Sequence, residues 1–161
     1  MSVITVPHPS YFDAFTARGV EFGADYLIIP DDFTFDEWSA LGLFLKRIDA
    51  ANPWWNGDWW AWGENRFHEM SSQEAGDLFG LEPETIRHRG RVANAFPPKE
   101  VMYGILQPCT RVHGCYFSYH RELVPMVHEG RAAEAVEWLE LSRTRRDELV
   151  AGFDLGHRLR H

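Results

Sequence analysis

Three guanidiniums and an imidazole crowd one short segment of this chain, at Arg87, His88, Arg89 and Arg91. A guanidinium pairs bidentately with a guanine edge or clamps a phosphate, which is the chemistry a helix in a DNA major groove needs. On a helical template Arg87, His88 and Arg91 fall at i, i+1 and i+4, close enough to share one exposed face. Thr85 precedes them near the expected helix start, where its hydroxyl is placed for a phosphate. The plainer alternative is a solvated basic face, or one paired with acids from the N-terminal half.

A second set carries metal-ligating types. Cys109, His113, Cys115 and His120 put two thiols and two imidazoles into twelve residues, the donor types of a structural zinc site. The spacing Cys-x3-His-x-Cys-x4-His is not that of a common finger or knuckle. His120 reads better as a structural residue near a helix start, so zinc is held only as an alternative and no cofactor is expected. His68-Glu69 has Ser72 where a zinc-protease motif needs its second histidine. The chain shows no Gly-rich phosphate loop, nucleophile elbow or dinucleotide fingerprint. An enzyme therefore has little to build on.

The elements that must position these groups are marked by local chemistry. Thr34 and Glu37 form a capping box, and Trp38, Leu41, Leu45 and Ile48 then repeat at helical spacing, predicting a helix over residues 35–50. Asn52-Pro53 ends it and opens a stretch, Pro53 to Phe67, with five of the chain's seven tryptophans. Trp55, Trp59 and Trp62 lie on one helical stripe, so the stretch reads as a central helix rather than a ring-stacking platform. Asp58 and Glu64 are read as acceptors for its buried indole N–H groups. Ser71 with Glu74 is a second capping box, Gly80 suits a helix C-cap, and Pro83 suits the first turn of a new helix over residues 83–95. The outline is a helix-turn-helix. Arg89 stands where many such motifs hold an apolar residue.

Elsewhere the pattern predicts an extended arm over residues 1–25, with Phe12, Phe15 and Phe22 against the body, and a short strand at 26–29. Short helices are expected over 99–106 and from a Ser118 cap to Pro125. An amphipathic helix is expected over 131–141, with Ala132, Val136 and Leu139 on one face, then an N-cap pair at Thr144 and Asp147.

The 161 residues are 45% apolar and carry a formal charge of −8, a composition of folded domains. No run is long enough to span a membrane, no signal peptide opens the chain, and two cysteines make no disulfide framework. The expectation is a cytoplasmic protein without a membrane partner. Residues 1–80 hold 13 acids against 4 Lys/Arg, whereas residues 81–161 hold 11 against 12. An anionic partner should meet the second half.

In order along the chain stand FTFDEWSALG, WWNGDWWAWGE, GLEPETIRHRGRVANAFP, FSYHREL and EAVEWLELS. Together they resemble the actinobacterial LmbU-like regulators, associated with antibiotic gene clusters, and similar phage- and plasmid-borne proteins. The resemblance runs from about Leu27 to Leu149; its most specific pieces are Gly57-Asp58-Trp59, then Gly63-Glu64, and Ser118-Tyr119-His120. It implies a helical DNA-binding protein that reads with the helix-turn-helix near Gly80. An arginine commonly precedes the Ser-Tyr-His piece in such proteins, and Arg111 is its counterpart here. Glu82 departs from the pattern, standing where Ser or another good N-cap is expected.

The reading is a mainly α, single-domain, non-enzymatic regulator: an irregular arm (1–25), a Trp-rich helical core (34–70), a helix-turn-helix (71–96) and C-terminal helices (99–161). Its expected partners are double-stranded DNA, contacted by Thr85, Arg87, His88, Arg89 and Arg91, and a second copy of the chain, since one short helix gives too little specificity. The residue 132–141 helix is one interface for that dimer. The alternative is an accessory protein that binds a host protein through Asp31, Asp32, Asp36 and Glu37.

Overall fold

The computed structural model describes residues 10–48, 52–67, 70–99, 101–102, 105–106 and 109–145. They are mainly helical: α1 (Ser10–Arg18), α2 (Phe35–Arg47), α3 (Pro53–Glu64), α4 (Ser72–Phe79), α5 (Pro83–Ala95), α6 (Phe117–His128) and α7 (132–145). Two antiparallel two-stranded hairpins complete them. β1 (Glu21–Phe22) pairs with β2 (Leu27–Ile28) so that Phe22 faces Leu27, and β3 (Val101–Met102) pairs with β4 (Ile105–Leu106) so that Met102 faces Ile105. Among the described residues no helix is long and apolar enough to cross a membrane.

The helix starts follow from their caps. Glu37 N–H donates to Thr34 Oγ1 at 3.2 Å while Thr34 N–H donates to Glu37 Oε1 at 3.0 Å, satisfying two orphan donors reciprocally. Ser71 and Glu74 repeat the arrangement at α4. Asn52 Oδ1 accepts from Trp54 N–H at 3.0 Å and Pro53 occupies the first turn of α3. Gly80 closes α4 in the left-handed region, φ 68°, a conformation glycine adopts without a Cβ clash.

Helix α3 is buried on nearly every side: Trp54, Asn56, Gly57, Asp58, Trp59, Trp60, Ala61, Trp62 and Gly63 are all buried. An all-round buried helix must be central. It divides two cores. Trp59, Trp60 and Trp62 join Trp38, Leu41, Leu45 and Ile86 on one side, while Trp54 joins Val92, Phe96, Val112, Ala135 and Leu139 on the other. Its glycines, poor for helix propensity, are kept by close packing. A Cβ on Gly57 would lie 2.5 Å from the Arg89 carbonyl oxygen of α5, and one on Gly63 would lie 2.0 Å from the Trp38 ring.

Several expectations need correction. The arm is not extended throughout: residues 10–18 form α1, because Phe12 and Phe15 pack on Phe44 of α2 at ring distances of 4.8 and 5.2 Å. Tertiary contact decides there, where periodicity is weak. Residues 1–9 lie outside those described. Within the expected 99–106 helix, residues 101–102 and 105–106 instead pair as antiparallel strands, which the β-branched Val101 and Ile105 favour; residues 100, 103 and 104 lie outside those described. Tyr116 is the N-cap of α6, and Ser118 lies inside it. The helix also runs past Pro125 to His128, with Glu129 N–H reaching the Pro125 carbonyl at 3.1 Å. Thr144 is within α7, and Asp147 lies outside the described residues.

The indole acceptors are also reassigned. Trp38 and Trp59 stack at 4.2 Å with planes 7° apart, and each Nε1–H donates to the other's backbone carbonyl at 2.8 Å. Trp55 Nε1–H donates to the Gly23 carbonyl, and Trp60 and Trp62 Nε1 have no acceptor among the described residues. Asp58 serves a different partner.

Candidate nucleic-acid interface

Helices α4 and α5 are joined by Gly80-Leu81-Glu82, with Leu81 N–H closing back on the Gly76 carbonyl at 2.8 Å. Glu82 is the N-cap of α5 and supplies no side-chain bond to it, as its departure from the usual cap residue suggests. Ile86, Gly90, Val92 and Ala93 are buried, so α5 lies with this side against the body. Glu84, Arg87, Arg91 and Asn94 are exposed on the opposite side.

The outer face centres on one carboxylate. Glu84 accepts from Arg87 Nη2, and from Arg91 Nη2 at 3.0 Å, while Arg87 Nη1 also donates to Ser72 Oγ at 3.1 Å. The Arg87 bond and then the Arg91 bond hold the Glu84 carboxyl below its usual range. Exposed pairs of this kind contribute little net stability, so both guanidiniums are easily released to another anion.

His88 and Thr85 are half-buried beside this face, and Arg89 is turned further in. Arg89 Nη1 donates to Oδ1 of the buried Asn56 on α3 at 2.6 Å, and burial lowers its guanidinium pKa below the ordinary value. The position that often holds an apolar residue thus holds a half-buried cation tied to α3. Arg87, Arg91 and, at its edge, His88 share the outward surface, whereas Thr85, His88 and Arg89 line a cleft on the α6 side.

That cleft is open, about 820 Å³, between α5, the start of α3 and the start of α6. Pro53, Trp54, Tyr116 and Phe117 form its apolar wall, and Asn52, Ser118 and Arg121 contribute polar groups.

Beneath the cleft lies a network not legible in the sequence. Arg111 and Asp58 have 0% and 1% side-chain exposure and meet through two bonds, 2.7 and 2.8 Å. Arg111 Nε donates to the Phe96 carbonyl at the end of α5, its Nη1 to the Asp25 carbonyl, and its guanidinium lies 3.7 Å over the Trp54 ring. Asp58 Oδ2 also accepts Leu27 N–H at 2.9 Å. One ion pair therefore joins the first hairpin, α3, the end of α5 and the loop before α6. The Gly-Asp-Trp piece, Arg111 and the Ser-Tyr-His piece meet here, the last through His120.

His120 belongs to the Cys/His cluster and has both ring nitrogens engaged within the chain. Its ring sits edge-on between Trp54 and Phe96; Nε2 accepts Val112 N–H at 3.1 Å, which leaves Nδ1–H to donate to the Tyr116 carbonyl at 3.0 Å. Both nitrogens are used, so neither is left for a metal. His113 Nδ1 pairs with Asp25 at 2.7 Å, Cys109 Sγ contacts the Pro98 carbonyl at 3.2 Å, and Cys115 is buried with Sγ 3.7 Å from the Leu139 carbonyl. Among the described residues no three His, Cys, Asp or Glu side chains are grouped to hold a metal ion.

Burial, above all, pushes the His120 pKa down to about 4. Because the folded value lies below the ordinary 6.5, the neutral ring is stabilising above pH 6.5 and that stability is lost as pH falls toward 4. Urea midpoints should fall across this window, and by less in His120→Gln; an identical decline would place the effect elsewhere.

The acidic surface is largely paired within the chain. Arg18 bridges Glu37 at 2.6 Å and Asp32 at 3.1 Å, and Arg66 meets Asp31 at 2.6 Å. Asp36 is exposed. These pairs reduce the free negative charge offered to a basic partner.

No family model matches the chain, and no solved structure matches it. Over 129 residues it is 26% identical to a protein of Streptomyces niveus named Transcriptional regulator NovE, covering 79% of this chain and 52% of that protein. The chain thus spans about half the length of the curated relative it matches.

Proposed function

We propose that this chain is a DNA-binding transcriptional regulator that reads duplex DNA with α5 as the second helix of a helix-turn-helix. The observation that carries this reading is the two-sidedness of α5: one side is packed on α3, and the other presents Arg87 and Arg91 with His88 at the edge. The regulator's name borne by the Streptomyces niveus relative and the resemblance to LmbU-like proteins support it. Arg87, Arg91 and His88 contact base edges or phosphate, and Thr85 meets a phosphate near the start of α5. Arg89 is a positioning residue in this scheme, holding α5 on α3 through Asn56. Glu84 acts against DNA, since its carboxylate sits between the two reading arginines.

A homodimer would double the contact, as paired half-sites do for other helix-turn-helix proteins. Helix α7 offers an interface: Ala135 and Leu139 are buried in the chain's own core, while Trp138 and Leu141 are 52% and 62% exposed on its other side.

With a net charge of −8, binding must rest on local phosphate contacts and should be steeply salt-dependent. Fluorescence anisotropy with a mixed-sequence duplex should show binding at 50 mM salt, with a logarithmic slope of roughly −0.9 for each phosphate contacted. No detectable binding at low salt contradicts the reading.

A further inference from the structure

We infer that the cleft between α5, α3 and α6 is a binding site for a small organic anion with a planar ring. The cleft's volume, about 820 Å³, lies within the range of small-molecule sites, and its mix of aromatic wall and few polar groups is their usual lining. Its charge is what selects an anion. Arg89 reaches the cleft half-buried, with a neutral amide, Asn56, as its side-chain partner; among the described residues no carboxylate pairs with it. A half-buried guanidinium without a counter-charge bears part of the cost of desolvation, and an anion relieves it. Burial already lowers the Arg89 pKa, the expected direction for a cation short of partners.

The two carboxylates that line the cleft do not supply the missing charge. Glu84 is turned to Arg87 and Arg91, and Asp25 accepts from His113 at 2.7 Å and from Gly114 N–H at 3.1 Å. His88 and Arg121 add two further nitrogen-bearing groups to the lining. Helix α6 also begins at the cleft, and no side chain caps it. Its first turn, at Phe117 and Ser118, therefore adds the positive end of a helix dipole to the same space. Tyr116 and Phe117, with Pro53, give a planar ring its contact surface, and the buried Trp54 backs Phe117 edge-on at 4.7 Å. The ligand class is thus an aromatic carboxylate or a similar ring-bearing anion.

Thr85, His88 and Arg89 belong to α5, so an occupant would bear on the helix proposed to read DNA. That regulatory link rests on the DNA reading above; binding itself does not, and calorimetry in the absence of DNA separates the two.

The test uses the full chain with naphthalene-2-carboxylate and its uncharged isostere naphthalene-2-carboxamide. A charge-assisted bond should give the carboxylate an affinity about tenfold higher. Arg89→Met should bring the two probes close together, with the carboxylate losing more affinity than the amide. Arg121→Gln, at an exposed position, should reduce the discrimination without shifting the melting temperature, which keeps the inference testable should Arg89→Met fail to fold. Equal affinity of the native chain for both probes, no binding of either at millimolar concentration, or full discrimination retained by Arg121→Gln overturns it.

Discussion

Asp58→Ala should lower the folding stability by about 3–5 kcal/mol, the cost of leaving a buried charge without its partner. Arg111 would keep its bonds to the Phe96 and Asp25 carbonyls but lose both bonds to carboxylate oxygen. Leu27 N–H would lose its acceptor as well. The effect should be largest where the pair joins elements, at the first hairpin and the end of α5. Replacing both partners, as in Asp58→Leu with Arg111→Met, should recover part of the loss, because an apolar pair has no charge to desolvate, although Leu27 N–H and the Phe96 and Asp25 carbonyls stay without their partners. Urea denaturation followed by circular dichroism measures both. A loss below about 1 kcal/mol in Asp58→Ala would show that Arg111 is solvated or paired elsewhere.

Trp59→Ala should be comparably damaging, by about 3–5 kcal/mol, the usual range for removing a large buried ring. Trp59 is 0% exposed and its ring stacks on Trp38. The Trp38 carbonyl would lose the donor it now has at 2.8 Å, while Trp38 Nε1–H would keep the backbone carbonyl of residue 59. Trp59→Phe, which retains a ring but not the donor, should fall between. Because the stack lies within the core and not on the outward face of α5, the damage should appear in the denaturation midpoint first. A Trp59→Ala chain that folds normally but loses partner binding would overturn the structural role assigned to the tryptophans.

What could be read ahead of the structure was mostly local. Thr34 with Glu37, Ser71 with Glu74, Gly80 and Pro83 act within one turn, and each stands where its chemistry predicts. The tryptophan helix was legible because burial is the ordinary fate of that much indole. Its acceptors were not, since Trp38 and Trp59 satisfy each other across 21 residues through backbone carbonyls, which no side-chain pattern announces. The Asp58–Arg111 pair spans 53 residues and the Asp25–His113 contact 88. Asp58 stood in a quoted motif and Arg111 was the counterpart of the arginine that precedes Ser-Tyr-His, but nothing local joins them. Helix α1 failed for the opposite reason: its support is Phe44 of α2, not its own periodicity.

The candidate site divides in the same way. Helical spacing places Arg87 and Arg91 together, and both are exposed on one side of α5. Their shared attachment to Glu84 follows from the same spacing. The apolar residue expected at position 89 was the one hint that Arg89 belongs inward, but Asn56, which receives it, lies 33 residues away. The cleft beside it is assembled from three elements and has no sequence signature.

The most direct test of the regulator reading is duplex affinity in the Arg87→Ala, Arg91→Ala double variant, measured by anisotropy at low salt beside the native chain. Both side chains are exposed, so the variant should keep its native circular dichroism and melting temperature. Binding should be abolished, and the salt dependence seen with the native chain should disappear with it. Unchanged affinity in the folded double variant would mean that the outward face of α5 has no part in holding DNA, and the regulator reading would fail.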